Sequence, residues 1–143
     1  MLQVFADGAC SKNPGPGGWA AVIISNAQIV SSVSGYEKST TNNRMELIAA
    51  IEGITEGSKS SFEMTVITDS MYVRDGITKW IFSWRRTNWK NNTVKNIDLW
   101  QKLSSLTMKY EVTWEWVKGH SGNKYNEMVD SIAREQIKLN YKY

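Results

Sequence analysis

The hydrophobic period of the chain changes abruptly near residue 42, and this change limits the fold to a few topologies. Before it, residues 2–6, 19–24 and 29–36 are short apolar runs, which predicts three strands joined by hairpins. The Pro- and Gly-rich residues 13–18 predict the turn between the first two strands. After it, apolar residues recur at helical spacing over residues 47–54, which predicts a helix. The first part of the chain is therefore expected to be an antiparallel meander that leads into a helix.

The second half alternates between the two periods. Residues 62–68 and 111–117 have strand chemistry, whereas residues 94–108 and 123–139 carry apolar side chains at helical spacing. Strands joined through helices pair in parallel, and the helices cover both faces of such a sheet. We predict an α/β fold, a five-stranded mixed sheet with three antiparallel strands followed by helix-connected strands, in a single domain spanning residues 1–143.

The composition indicates which cellular environment and which kind of partner to expect for this chain. A net charge of +3 and a pI near 9.0 are mildly basic, which hints at a polyanionic partner. Cys10 is the single cysteine, so an internal disulfide is excluded and a reducing, cytoplasmic location is expected. No apolar run is long enough to span a bilayer, so we expect no membrane contact.

Two acidic residues lie in the first half of the predicted sheet and helix. Asp7 lies within or just after the first strand, on the alternation opposite to its apolar residues, where a buried carboxylate would need a cation. A carboxylate that faces a loop and caps the turn is an equally good interpretation. Glu46 stands three residues after Asn43, so a helix-capping box explains it without any chemistry.

Two further acids follow in the second half. Asp69 comes directly after a strand, where a helix-starting aspartate is common, and Asp130 is four residues from Arg134, which favours a surface ion pair. Considered together, however, acids at a first strand, a helix start, a later strand end and the last helix can converge on one crevice. Converging carboxylates would repel one another unless cations shared them.

The chemistry of such a group points to a hard cation. Ligands that offer only oxygen suit Mg²⁺, with Mn²⁺ able to substitute. Zinc is disfavoured because Cys10 and His120 form no thiolate or imidazole cluster. Two ions roughly 4 Å apart can hold the attacking water and the leaving oxygen of a phosphodiester. Phosphodiester hydrolysis is therefore the reaction that these acids predict.

His120 is the only histidine and lies in a glycine-flanked loop. Such an imidazole can exchange a proton near neutrality, which suits delivery or removal of a proton during hydrolysis. A solvated loop histidine without a role is the alternative.

Residues 76–97 form the most basic segment, which has no acidic residue and three interleaved tryptophans. Clustered cations contact phosphates, and tryptophan faces can lie against sugars or bases. We select Arg85, Arg86 and Lys90 for phosphate contact, while we expect Trp80 and Trp84 both to anchor the segment and to shape a channel. A solvated basic helix pinned to the core by these tryptophans is the alternative.

Three asparagines on predicted turns suit groove edges and 2′-hydroxyls, although capping explains them equally well. They are Asn13, Asn42 and Asn43.

Several motifs in order resemble type 1 ribonuclease H over nearly the whole chain. They are DGAC at 7–10, NPGPGGW at 13–19, TNNRMEL at 41–47, TDS at 68–70 and WVKGHSG at 116–122, followed by Asn126-Glu127 and Asp130. The resemblance implies an endonuclease that hydrolyses the RNA strand of RNA/DNA hybrids and leaves 5′-phosphate and 3′-hydroxyl ends. It also implies that Asp7, Glu46, Asp69 and Asp130 bind metal, with His120 as the loop histidine.

The same resemblance assigns substrate contacts. It implies that Asn13, Asn42 and Asn43 follow the minor groove of the hybrid, that Thr41 holds a DNA phosphate, and that the basic segment forms a protrusion. Met71 stands where many relatives carry Gln, and the protrusion is short, so we expect weaker binding than in longer relatives. We expect a monomer with no obligate protein partner.

Two other functions remain open from the sequence. A catalytically silent hybrid-binding module would keep the fold and the basic surface, but the presence of all four acids argues against it. A transposase-like or integrase-like strand transferase shares acidic two-metal chemistry, but it would need DNA-joining regions for which this chain is short.

Overall fold

The computed structural model describes residues 1–141, so the last two residues of the predicted domain lie outside the described part. The strands are β1 (Leu2–Cys10), β2 (Gly15–Ser25), β3 (Gln28–Thr40), β4 (Glu63–Thr68) and β5 (Glu111–Trp116). The helices are α1 (Asn42–Gly57), α2 (Met71–Asp75), a π-helical turn (Gly76–Trp80), α3 (Ile81–Arg86), α4 (Asn88–Asn92), α5 (Ile97–Lys109) and α6 (Lys124–Asn140).

The five strands form one sheet in the order β3-β2-β1-β4-β5. β2 pairs antiparallel with both β1 and β3, whereas β4 pairs parallel with both β1 and β5. The predicted fold class is therefore confirmed, including the change from hairpin connections to helical crossovers.

The glycine-rich stretch at 13–18 was predicted to be a turn, and this prediction is wrong in its second half because β2 already begins at Gly15. The glycines serve close packing rather than chain reversal. A Cβ on Gly18 would lie 2.0 Å from the carbonyl oxygen of Ala133 in α6, and one on Gly17 would lie 2.5 Å from a methyl carbon of Thr40. The strand therefore continues through glycine because neighbouring elements lie directly against it.

Two hydrophobic layers sandwich the sheet. Successive residues of β1 point into opposite layers. Val4 packs with α1 and α5 on one face, and Phe5 packs with α6 on the other. Trp100 of α5 is fully buried in the first layer, and Val129 of α6 is fully buried in the second. This arrangement places helices on both faces, as predicted.

The basic segment begins with helical residues that are anchored in the core and continues into a turn with left-handed backbone conformation. Trp84 packs against Trp100 with ring centroids 5.2 Å apart, which anchors α3. Beyond it, all five residues of α4 have positive φ angles between 52° and 64°. Asparagine tolerates this left-handed region better than most residues, and three of the five residues are Asn. Helix α5 then begins at Ile97 rather than at the predicted residue 94.

Membrane insertion through a helix has no support in the described residues. None of the helices within 1–141 combines the length and apolar character needed to cross a bilayer.

We predict that Gly18→Ala destabilises the protein strongly because the new methyl group would meet a backbone carbonyl of α6 at 2.0 Å. Overpacking of this kind typically costs about 1–3 kcal/mol. Gly57→Ala is the matched control, since the nearest atoms to its Cβ are side-chain atoms at 3.1 Å or more rather than a backbone carbonyl. Urea denaturation should give a lower free energy of unfolding for Gly18→Ala than for Gly57→Ala. Equal values would show that α6 does not pack on β2 as closely as described.

Candidate active site

The parallel pairing of β1 with β4 brings two of the acids to the same end of the sheet. Ala6 is the register partner of Thr68, so Asp7 and Asp69 come next at the same edge. Asp7 lies inside β1 on the alternation of Phe5, the α6 side, and is only 3% exposed. The alternative interpretation of Asp7 as a loop-facing turn cap is therefore wrong.

Glu46 does not belong to a capping box. Helix α1 is capped by Thr41, whose hydroxyl oxygen accepts a hydrogen bond from the Arg44 backbone N–H at 3.2 Å. Glu46 instead lies in the second turn of α1 and is only 5% exposed. The capping interpretation with Asn43 is wrong, and burial of this carboxylate needs another explanation.

Gly8 joins the first two acids. Its backbone N–H donates to Asp7 Oδ1 at 2.9 Å and to Glu46 Oε1 at 3.0 Å. A Cβ on Gly8 would lie 2.4 Å from the carbonyl carbon of Met45, so only glycine lets α1 approach β1 this closely. The approach carries the Glu46 side chain to the end of β1.

Asp69 completes a group of three acids. Asp7, Glu46 and Asp69 each offer a carboxylate oxygen within 4.8 Å of those of the other two. Asp69 is not the cap of the helix that follows it, since the Ser70 hydroxyl accepts from the Val73 N–H. Its Oδ2 accepts from Asn126 Nδ2 at 3.4 Å.

Asp130 lies apart from this group. Its Oδ2 is 2.8 Å from Nη2 of Arg134, one helical turn further along α6. The ion pair considered as an alternative from the sequence is therefore present. Asp130 is nevertheless close enough for its charge to raise the pKa of Asp7.

The electrostatics of the group favour a bound cation. Burial is the main cause that raises the pKa of Asp7, and the negative charge of Glu46 adds to it. Burial also raises the pKa of Glu46. In addition, Glu46 Oε2 is buried without a hydrogen-bond partner among the described residues. Oxygen ligands with an unsatisfied buried carboxylate oxygen fit a hard divalent cation.

The His120 loop lies against this group through its backbone. A Cβ on Gly119 would be 3.0 Å from Asp69 Oδ2. His120 itself is exposed and has a φ of 56°, a conformation uncommon for residues other than glycine. Its imidazole is therefore carried on a loop beside the acids while it remains accessible to water.

The predicted groove residues meet at the start of α1. Asn13 Oδ1 accepts a hydrogen bond from the backbone N–H of Asn42 at 2.9 Å, which joins the β1–β2 turn to the helix. Asn42 and Asn43 are exposed in the first turn, and the Thr41 hydroxyl serves as the helix cap. The asparagines are thus brought together, and Asn13 also has a structural role.

The residues chosen from the basic segment have different environments. Trp80, Trp84 and Lys90 line one cavity of about 370 Å³ together with Ser83. Trp84 is mostly core, at 8% exposure, whereas Trp80 is 40% exposed.

The two arginines of α3 differ as well. Arg85 is tied down because its Nε and Nη2 both donate to the Ser104 hydroxyl, at 3.0 and 2.6 Å. Arg86 is exposed.

The structure also reveals contacts that the sequence interpretation did not assign. Asn126 is 2% exposed and holds Asp69, and Gly8 links Asp7 to Glu46. A signal for Asn126 was available, since it lies four residues before Asp130 on one helical stripe. The Gly8 contact depends on helix placement and had no sequence signal.

Comparison with known proteins gives consistent results. The sequence profile of the RNase H family matches residues 1–138. The ribonuclease H of Agrobacterium fabrum is 50% identical over 137 residues, covering 94% of this chain and 92% of the relative. The ribonuclease H of Maricaulis maris is 48% identical over 139 residues, covering 95% and 93%.

Solved structures agree in fold. The crystal structure of LC9-RNase H1, described as a type 1 RNase H with the type 2 active-site motif, matches with a TM-score of 0.86 at 32% identity, covering 98% of this chain and 73% of that one. LC11-RNase H1, solved in complex with an RNA/DNA hybrid, matches in fold with a TM-score of 0.76 at 20% identity and covers 97% and 98%. Sequence profile, close relatives and fold agree, and the chain belongs to the RNase H family.

Proposed function

We propose that this protein is a divalent-metal-dependent endonuclease that hydrolyses the RNA strand of RNA/DNA hybrids. The observation that carries the proposal is the group of Asp7, Glu46 and Asp69, each with a carboxylate oxygen within 4.8 Å of the others. Asp7 and Glu46 are buried and Asp69 is half-buried. Family membership supports the activity, and the hybrid bound by LC11-RNase H1 supports the substrate class. The expected products carry 5′-phosphate and 3′-hydroxyl ends.

The metal is proposed to be Mg²⁺, with Mn²⁺ able to substitute, because only oxygen ligands are offered. Asp7, Glu46 and Asp69 would hold it, and Asp130 would join them by leaving Arg134. When bound, two such ions would stabilise the attacking and leaving oxygens of a phosphodiester. Asn126 would keep Asp69 oriented through its hydrogen bond at 3.4 Å.

His120 is proposed to move a proton at the attacking water or the leaving oxygen. Its loop lies against Asp69 at Gly119, and its ring is exposed. A mobile imidazole beside the acids can exchange protons with solvent between turnovers.

The hybrid is proposed to bind across two surfaces. The minor groove would follow Asn13, Asn42 and Asn43, where amides can contact 2′-hydroxyls, with Thr41 next to a DNA phosphate. The basic segment would contact the DNA backbone through the residues that line or flank its cavity. These residues are Trp80, Trp84, Arg85, Arg86 and Lys90, with Arg85 partly committed to Ser104.

Three wider features belong to the same proposal. Residues 1–143 would act as one catalytic domain, the protein would work as a monomer in the cytoplasm, and no obligate protein partner is expected. The silent hybrid-binding module is the competing function, and the three acids gathered at one point argue against it.

The decisive test combines a labelled hybrid with Mg²⁺ or a chelator and compares the protein with Asp7→Asn. We expect cleavage of the RNA strand only with metal, and at least about a 100-fold loss in Asp7→Asn, since losing a residue that merely supports a metal ligand costs roughly 10- to 100-fold. Gel analysis should show 5′-phosphate ends. Hybrid binding without cleavage would favour the silent module, and joined DNA products would favour a strand transferase.

Glu63→Gln is the matched control for that variant. Glu63 is an exposed acid at the end of β4 that is far from Asp69, so its replacement by glutamine should leave cleavage unchanged. Equal losses in the two variants would mean that the effect of Asp7→Asn is not specific to the acid group.

A second prediction concerns stability without metal. The folded pKa values of Asp7 and Glu46 lie above their ordinary values of 3.8 and 4.5 because both groups are buried. The folded state therefore holds protons that the unfolded state has released, so stability falls as pH rises above the ordinary values. In chelator, the free energy of unfolding should be lower at pH 8 than at pH 5.

Urea denaturation at the two pH values measures this difference. Asp7→Asn should reduce the pH dependence because one buried acid is gone, and Mg²⁺ at pH 8 should restore stability to the unmodified protein. Equal or greater metal-free stability at pH 8 would contradict the assigned burial of charge.

A third prediction concerns proton transfer. In His120→Ala, the single-turnover cleavage rate should fall by roughly 100-fold, the low end of what general acid–base catalysis contributes, because water can replace an exposed imidazole in part. Hybrid affinity should remain unchanged. Added imidazole should restore part of the rate. A rate equal to that of the unmodified protein across pH 5 to 9 would remove the proton-transfer role.

A further inference from the structure

A cavity of about 290 Å³ lies beside the acid group, between the end of β1 and the second half of α6. Ala9, Cys10 and Ser11 line one side, and the other side is lined by Arg134, Ile137, Lys138 and Tyr141. The cavity has no role in the function proposed above.

Helix α6 connects this cavity to the acids in regular steps. Asn126 contacts Asp69, Asp130 acts on Asp7 through its charge, and Arg134 and Lys138 reach the cavity. These helix residues follow one another at four-residue spacing, a rise of about 6 Å each. A strand that passes the acid group along α6 would therefore come next to the cavity.

The cavity is positively charged. Arg134 and Lys138 line it, and no carboxylate does so among the described residues. Arg134 donates one contact to Asp130, but its guanidinium has further N–H donors available. A second depression of about 190 Å³ shares both cations but is also lined by Glu135, which makes it less suited to an anion.

The remaining lining suits a sugar. Ala9 and Ile137 provide an apolar wall next to the cations. A sugar–phosphate unit presents C–H surface beside a charged phosphate, and a volume near 300 Å³ is at the small end of ligand sites. The cavity therefore matches one backbone unit better than a larger organic molecule.

We propose that this cavity binds a phosphodiester of the cleaved strand next to the one held at the acids, with Lys138 and Arg134 contacting the phosphate. The inference rests on the proposed function, because it takes the strand at Asp7 to be the substrate. Each phosphate contact steepens the salt dependence of binding by roughly 0.9 in a log–log plot.

The test compares Lys138→Ala with Lys102→Ala, an exposed lysine of α5. Hybrid affinity is measured in chelator from 50 to 300 mM salt. We expect Lys138→Ala to bind about fivefold more weakly at low salt with a slope less steep by about 1, and Lys102→Ala to match the unmodified protein. Equal slopes in all three proteins would overturn the proposal.

An independent readout uses Ser11→Cys in a Cys10→Ser background, because Ser11 is exposed and lines the cavity. The native thiol is unsuited to this, since Cys10 Sγ donates to the carbonyl oxygens of Lys12, Gly15 and Thr40. A hybrid whose cleaved strand extends over the cavity should slow alkylation by N-ethylmaleimide, and Lys138→Ala should weaken this protection. A hybrid trimmed on that side should protect less and should show no Lys138 effect. Protection that is independent of strand length would contradict the assignment.

Two further outcomes separate this inference from the proposed function. If the protein cleaves hybrids with Mg²⁺ but Lys138→Ala behaves like Lys102→Ala, only the cavity assignment fails. A different result is that inorganic phosphate raises the melting temperature of the unmodified protein but not of Lys138→Ala, while the two proteins bind the hybrid equally well. The cavity would then bind free phosphate, and the inference would be wrong. Failure of the unmodified protein to bind or cleave any hybrid would overturn both.

Discussion

The arrangement of the site depends on two carboxylates that are buried where β1 meets α1. Asp7 and Glu46 are 3% and 5% exposed, and both accept from the single backbone N–H of Gly8. One neutral donor cannot offset two buried negative charges. The folded protein must therefore either keep protons on this pair or bind a cation beside it. Glu46 Oε2 is the oxygen of the pair that is buried without a hydrogen-bond donor among the described residues.

The acids and His120 differ in how firmly the surrounding structure holds their side chains. β1, β4 and α1 hold Asp7, Asp69 and Glu46 through sheet register and buried packing. Asp130 lies on α6 and is held by an ion pair with Arg134 of the same helix. His120 sits on a loop with an exposed ring. This combination would suit the proposed metal site, in which some ligands would stay fixed while others exchanged.

Much of this arrangement could be predicted from the sequence, because hydrophobic period determines strand and helix order and strand ends determine where acids meet. The five strands and the three long helices appeared in the predicted order. The cap interpretations of Glu46 and Asp69 failed because Thr41 and Ser70 hold the cap positions, which local spacing alone did not distinguish. The extended course of Gly15–Gly18 was missed because its cause is tertiary, namely the carbonyl of Ala133 against Gly18.

The parallel register of β1 and β4 also decides where the chain can tolerate a change in length. Because alternate residues face opposite layers, one inserted residue before Asp7 would turn its carboxylate toward α1 and leave an apolar side chain among the acids. The left-handed turn at Asn88–Asn92 is less constrained, since none of its residues is buried, although the Trp89 ring packs 5.9 Å from that of Trp84. An insertion or deletion within β1 would therefore disturb the acid group, whereas the turn could change in length while the acids kept their positions.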